Sequence, residues 1–380
     1  MKGRITISMA TMVAIACIAL TACKKEEFKN PECDIISAWV QGDEYAACFF
    51  QPSQMHIDDI PSTTTELVFT VRPASSHRLP VFFTVSEGAT VSPASGSVQD
   101  FSAGPVTYTV TSEDDAYSRR YTVYMRPPEA PVTISFEHVG TAVQGSSRYH
   151  VFCEINANGD TNRIWASGNQ GYAITQSNAT PEMFPTRSVN DGYVGKGVCL
   201  TTKDAGPMGH LMNKPIAAGN LFIGEFNINA VLTNALKSTV FGMPVNKVPT
   251  RVEGYYKYMP GAEFTNAQMQ VDPNRTDEAN IYAVFFRNQD DEGNPVKLYG
   301  DNVMTSPCVV MKAQVASLPA TAEWTRFEMN FEGGAVDLQL LANYGYSMTL
   351  VFSSSKGGDA FEGAIGSMLY IDEVHVTYEN

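Results

Sequence analysis

The sequence predicts an all-β protein of two sandwiches in series, an immunoglobulin-like β-sandwich followed by a jelly-roll β-sandwich. Three observations carry the prediction. Apolar residues alternate with polar ones in short runs, and clusters of Gly, Pro, Ser and Asn separate those runs. Helical periodicity is nearly absent, residues 229–237 being the best short candidate. Three prolines, Pro127, Pro128 and Pro131, punctuate the chain where one strand-rich region gives way to another. Such a segment is stiff and extended, which suits a connector. The predicted division is a leader over 1–22, a charged tether over 23–32, an Ig-like domain over 33–127, a Pro-rich linker over 128–131 and a jelly roll over 132–380.

In the first domain, residues 66–72 (ELVFTVR) and 79–85 (LPVFFTV) read as strands divided by the turn signal Arg72-Pro73-Ala74-Ser75-Ser76. Val106, Tyr108 and Val110 alternate with threonines, and Tyr121, Val123 and Met125 alternate with Arg120, Thr122 and Tyr124. Several short strands over about 95 residues fit an Ig-like sandwich without the Cys–Trp–Cys signature of antibody domains.

In the second domain, Val132, Ile134 and Phe136 alternate as a first strand, and 221–229 reads as a strand with Phe222, Phe226 and Ile228 on one face. Val252, Tyr256 and Tyr258 alternate with Glu253, Tyr255 and Lys257; Phe327, Met329 and Phe331 alternate with Trp324, Arg326 and Glu328. Residues 281–286 are apolar on both faces, as a central strand is. The C-terminus closes with a strand through Ile371-Asp372-Glu373-Val374 to Tyr378. Some 250 residues of strand and long loop suit a two-sheet jelly roll.

The first 22 residues read as an export signal: Lys2 and Arg4, an apolar run from Ile5 to Leu20, then Leu20-Thr21-Ala22-Cys23. This resembles the lipobox of bacterial lipoproteins, which makes Cys23 the lipidation site. The following Lys24-Lys25-Glu26-Glu27 is similar to the signal that exports lipoproteins to the surface of Gram-negative glycan-foraging bacteria. The expected location is the outer membrane, at the cell surface, reached by lipid anchor only. Formal net charge is −14, dispersed along the chain, which argues against nucleic acid as a partner. Five cysteines remain beyond Cys23, so at least one thiol is free unless chains pair; Cys33 and Cys48 are within reach of a bridge in the first domain.

Ordered motifs then point to a family. Tyr255-Tyr256-Lys257-Tyr258-Met259-Pro260-Gly261, Asp277-Glu278-Ala279-Asn280-Ile281-Tyr282-Ala283-Val284, Trp324-Thr325-Arg326-Phe327, Phe352-Ser353-Ser354-Ser355-Lys356, Phe361-Glu362-Gly363-Ala364-Ile365-Gly366-Ser367 and Leu369-Tyr370-Ile371-Asp372-Glu373-Val374 occur in that order. Over about 135–380 the chain resembles the putative carbohydrate metabolism domain family of lipoproteins. Residues 92–123 look like the Ig-like repeats at the stem of such proteins. The resemblance implies a galactose-binding-like jelly roll and a link to glycans. In jelly-roll binding domains an acid from the first strand and one from the last often hold a structural ion. Glu137 and Asp372 are similar to that pair, so structural calcium is the expected cofactor.

No nucleophile elbow, zinc-protease helix, P-loop or dinucleotide fingerprint is present, and the six histidines are scattered. Glycoside hydrolysis needs only two carboxylates about 5 to 10 Å apart; Asp277, Glu278, Asp290, Asp291, Glu292 and Glu362 are acids to weigh, with 290–295 reading as a hairpin tip. No catalytic residue is assigned, and the balance favours binding over catalysis. Sugar binding needs an aromatic platform beside directed polar groups. The candidate ligand residues are Trp324, Arg326 and Glu328 on one strand, Tyr255, Glu253 and Lys257 on another, and Trp165 in a polar, glycine-containing loop. The leading expectation is a surface-anchored, non-catalytic glycan-binding lipoprotein. The alternatives are a glycoside hydrolase-like enzyme on the same fold and a structural or adhesive surface protein.

Overall fold

The computed structural model describes residues 28–73, 78–155, 159, 161–231 and 233–379. The leader and Cys23 lie outside the described residues. The chain is almost entirely strand and loop, and it divides at Arg126–Pro127 into two compact units.

The first unit is an Ig-like sandwich. One four-stranded sheet runs in the order His56–Ile57, Ile35–Val40, Arg78–Val85, Val98–Asp100; the other runs Glu66–Thr70, Ser118–Arg126, Val106–Thr111, Thr90–Ser92. The Glu66–Thr70 strand is parallel to Ser118–Arg126. Alternation aims Leu67, Phe69, Tyr108, Val110, Tyr121 and Val123 into one core, as the period of two requires. Cys33 is in no disulfide, so it forms no bridge with Cys48, and Cys153, Cys199 and Cys308 are likewise unbridged among the described residues.

The second unit is a larger sandwich. Its front sheet has the order Thr186–Val189, Gly197–Thr201, Met368–Tyr378, Pro249–Met259, Thr321–Asn330, with Thr133–Ile134 added to Met368–Tyr378. Its back sheet runs Leu298–Tyr299, Thr239–Phe241, Asn220–Phe226, Tyr346–Ser353, Asn280–Arg287, Val309–Gln314, Glu332–Gly333; Trp165–Ala166 joins Asn220–Phe226, and Met243–Val245 joins Tyr346–Ser353. The core between the sheets takes Val252, Tyr256, Tyr258, Phe327 and Met329 from the front and Ile281, Phe285, Met348, Leu350 and Phe352 from the back.

The closing strand needs an irregularity to work. Ile371 and Val374 both face the core, yet they are three apart, and strict alternation would put them on opposite faces. A bulge resolves this: Glu373 adopts a left-handed φ of 47°, and pairing with Pro249–Met259 shifts between Glu253/His375 and Tyr255/Asp372. Three sequence expectations are corrected here. Among the described residues of 229–237 there is no α-helix but two short 3-10 turns, Ile228–Ala230 and Ala235–Lys237, the first capped by the Asn227 side chain accepting from the Asn229 N–H. The strand at 221 therefore stops at Phe226, and Phe226 and Ile228 do not share a strand face. The strand expected over 132–137 is shortened to Thr133–Ile134, with the Val132 carbonyl also accepting from the Val376 N–H, and it ends before Phe136, which turns to a φ of 54°.

Candidate functional site

The strands carrying six of the seven proposed ligand residues are direct neighbours. Pro249–Met259 lies between Thr321–Asn330 and Met368–Tyr378, and the registers set Tyr255 opposite Arg326 and Asp372, Glu253 opposite Glu328 and His375, and Lys257 opposite Tyr370. The core takes the alternate residues, so these point away from it. The outer face of the front sheet is thus a grid of three rows: Tyr370–Lys257–Trp324, Asp372–Tyr255–Arg326 and His375–Glu253–Glu328.

Like charges directly opposite destabilise a sheet, and Glu253 faces Glu328. Arg326 offsets this by donating to both carboxylates, 2.6 Å to Glu253 Oε2 and 2.6 Å to Glu328 Oε2. The two acids in turn hold the Arg326 guanidinium above its ordinary range. Arg251 Nε lies 3.4 Å from Glu253. In the first row, the Lys257 ammonium sits 4.6 Å from the Trp324 ring centroid and 5.8 Å from that of Tyr370, within cation–π range.

A residue the sequence reading missed completes the face. Tyr193 lies parallel to Tyr255 with centroids 3.7 Å apart and planes 9° apart, and meets Trp324 edge-on at 6.3 Å and 77°. Tyr193 remains 45% exposed. It is delivered by the turn Asn190-Asp191-Gly192-Tyr193-Val194-Gly195-Lys196, in which the Gly192 N–H donates to the Gly195 carbonyl. Both glycines are required. A Cβ on Gly192 would stand 2.5 Å from the Lys196 carbonyl oxygen, and one on Gly195, at φ 60°, would stand 2.1 Å from Glu137 Oε1. An aromatic at the tip of a Gly-bracketed turn was the available signal.

The two acids expected to hold calcium hold this turn. Asp372, 0% exposed, accepts from the Val194 N–H through Oδ2 (2.9 Å) and from the Glu373 N–H through Oδ1 (2.8 Å). Glu137 Oε1 accepts from the Lys196 N–H (2.8 Å), and the Glu137 carbonyl accepts from Lys196 Nζ (3.1 Å). Burial pushes the Asp372 carboxyl up to about 6, against the pull of those N–H donors. Nearby, Glu154 accepts from Trp165 Nε1 (3.2 Å) and the Ser135 N–H (3.3 Å); burial, with the charge of Asp372 adding, pushes it up to about 7. Among the described residues no group of three or more His, Cys, Asp or Glu is placed to hold a metal ion. Calcium takes six to eight oxygens, so an ion bridging Glu137 and Asp372 would draw the rest from backbone carbonyls and water.

Trp165 stands apart from the other six, a correction to the sequence reading. It is 9% exposed, in a strand paired to Asn220–Phe226 of the back sheet, with its ring against Phe136 and Phe352. The apolar neighbours Phe136 and Phe352, distant in sequence, bury an indole that locally reads as a loop residue, and Glu154 satisfies its N–H. Its edge contributes to a concavity of about 260 Å³ lined also by His150, Gln170, Glu225 and Phe226.

Five of the six acids weighed for hydrolysis have structural partners. Asp277 is buried and accepts from the hydroxyls of Ser355 and Ser367 (2.6 Å each) and the Ala364 N–H (2.8 Å). Glu278 pairs with Lys356 and Glu362 with Arg275. Asp290 closes the hairpin tip by accepting from Asn294 and the Glu292 N–H, and Asp291 pairs with Arg287.

Residues 135–377 match the family described as Putative carbohydrate metabolism domain. The chain belongs to this family. Residues 53–125 match the N-terminal domain of SGBP, the surface glycan-binding proteins. A crystal structure named as a putative glycoside hydrolase from Bacteroides thetaiotaomicron VPI-5482 is 35% identical, with a TM-score of 0.69 over 94% of this chain and 99% of that one. A second, from Bacteroides vulgatus ATCC 8482 and named likewise, is 39% identical, with a TM-score of 0.61 over 66% of this chain and 98% of that one. No curated protein matches the chain. The protein is therefore carbohydrate-related, with a head of the carbohydrate metabolism family and a stem of the SGBP type.

Proposed function

We propose that the head binds glycans through the outer face of its front sheet. The observation that carries this reading is the ring cluster of exposed Tyr193 with half-buried Tyr255 and Trp324, bordered by Glu253, Arg326, Glu328 and Lys257. A sugar presents C–H groups to an aromatic face and hydroxyls to its rim, and this face offers both. The Arg326–carboxylate bridges hold acceptors and donors beside the rings, so little side-chain freedom is lost on binding.

The reading extends to a surface lipoprotein that captures carbohydrate, anchored through Cys23. Labelled fatty acid incorporated into the chain and lost in Cys23→Ala supports the anchor; labelling that persists in that variant rejects it. The relatives named as glycoside hydrolases suggest catalysis instead. Here the two acids pushed toward neutrality, Asp372 and Glu154, are both buried, which supports binding over hydrolysis. The deciding experiment is a glycan array probed with the full chain. Saturable binding without product release is the expected result; shortened glycans would favour the hydrolase, and a blank array a structural or adhesive role.

A further inference from the structure

The cations of the ring face are not equivalent. Arg326 is matched by two carboxylates and Arg251 lies beside one of them. Lys257 has rings on both sides, Trp324 across one strand pair and Tyr370 across the other. Among the described residues no carboxylate lies within 4 Å of its ammonium and no protein acceptor takes its protons. An ammonium is compact, strongly hydrated and carries three donors, and ring faces attract its charge without accepting its hydrogen bonds in the way an oxygen does.

We propose that Lys257 makes this face selective for glycans bearing an anionic group, carboxylate or sulfate, on the sugar seated against Trp324. The inference rests on the glycan-binding reading and names its ligand class. Among the solvent-accessible charges of the grid, half-buried Arg251 and Lys257 and exposed Arg326 stand against half-buried Glu253 and exposed Glu328, and the one without an ion pair is Lys257. The carboxylate of Asp372 lies under the turn with both oxygens on backbone N–H groups. The exposed acid Asp191 acts on the Tyr370 hydroxyl, whose pKa burial has already raised, and forms no ion pair with Lys257. A neutral sugar would offer the ammonium only hydroxyl dipoles; a carboxylate or sulfate adds a full opposite charge, so the hydrogen bond becomes an ion pair with Coulomb attraction of its own. The chain's overall charge of −14 opposes an anionic ligand only weakly at this range, since screening acts within about 8 Å at physiological salt.

The test uses the full chain with polygalacturonate, alginate and chondroitin sulfate, each beside its carboxyl-reduced form and, for the last, its desulfated form. Affinity is read by calorimetry. The expected result is that at least one acidic polymer binds tenfold or more tighter than its neutralised partner; whether reduction or desulfation removes the preference identifies the anion. Lys257→Met should bring that ratio close to one, while Lys257→Arg, which keeps the charge, should preserve it; thermal melts establish that both variants fold. Equal binding of acidic and neutralised polymers, or a preference that survives Lys257→Met, overturns the inference and leaves glycan binding standing. Absence of binding to every polymer, with a blank glycan array, overturns both.

Discussion

The two sheets of the head expose their outer faces to opposite fates. The back sheet turns Phe222, Tyr282, Val284 and Phe286 outward, yet all are buried, because residues 296–309, with Leu298 and Val303, fold across them into a second core. The front sheet turns Tyr255, Lys257 and Trp324 outward, and the turn carrying Tyr193 stacks on Tyr255 and meets Trp324 edge-on while leaving all three half-exposed. Both faces are aromatic. The difference lies in the partners: apolar loop residues cover one, while charges in matched pairs border the other. An aromatic face with fixed charges is poorly suited to burial and well suited to a ligand that is itself half polar.

The largest expected effect breaks that comparison most simply. Phe286→Ala removes a fully buried ring and should cost about 3–5 kcal/mol in denaturant unfolding. Trp324→Ala, at a half-buried surface position, should cost far less, about 1 kcal/mol or below. Equal losses would mean that the front face is a second core rather than a site.

For binding the order reverses. Trp324→Ala and Tyr255→Ala should each weaken glycan affinity at least tenfold, about 1.4 kcal/mol, while a conservative change at the back, Phe286→Leu, should leave it unchanged. Titration calorimetry on glycans positive in the array checks this.

The acids beneath the Tyr193 turn give a pH signature. Both have folded-state pKa values raised above their unfolded ones, Asp372 to about 6 and Glu154 to about 7. A raised carboxyl penalises the folded state when ionised, so the penalty is full above the folded pKa and relieved as pH falls through it. The head should therefore gain stability from pH 8 toward pH 5, on the order of 2 kcal/mol. Acids held below their ordinary range, such as Asp290 through its bonds to Asn294, take stability away only at lower pH. Glu154→Gln should flatten the upper part of the gain. Calcium at Glu137 and Asp372 makes a contrasting proposal: millimolar calcium would keep Asp372 ionised, erase the lower part of the gain and raise the melting temperature, and chelation would reverse both.

A smaller effect sharpens the role of the turn. Gly195→Ala forces a Cβ against the Glu137 carboxylate, displacing Tyr193 from Tyr255. Glycan affinity should fall a few-fold with little loss of overall stability, read by calorimetry and melting.

Much of the ring face was legible because a strand has a period of two: assigning Tyr256 and Phe327 to the core forces Tyr255, Lys257, Trp324 and Arg326 outward. That the two strands adjoin is a matter of topology, which alternation does not encode. Tyr193 was missed because it precedes its partner Tyr255 by some sixty residues and reaches it only through a turn fastened by Asp372 and Glu137. Trp165 was misread for the converse reason: its local sequence is polar, and the rings that bury it come from Phe136 and Phe352. Glu137 and Asp372 both accept backbone N–H groups of the Tyr193 turn, contacts that their positions in the first and closing segments could not reveal.

The most direct test of the central claim is hydroxyl-radical footprinting of the full chain with and without an array-positive glycan. The account predicts that Trp324, Tyr255 and Tyr193 become protected together while His150 and Phe226, in the concavity beside Trp165, react as before. Protection at His150 and Phe226 with the three front rings unchanged would contradict it.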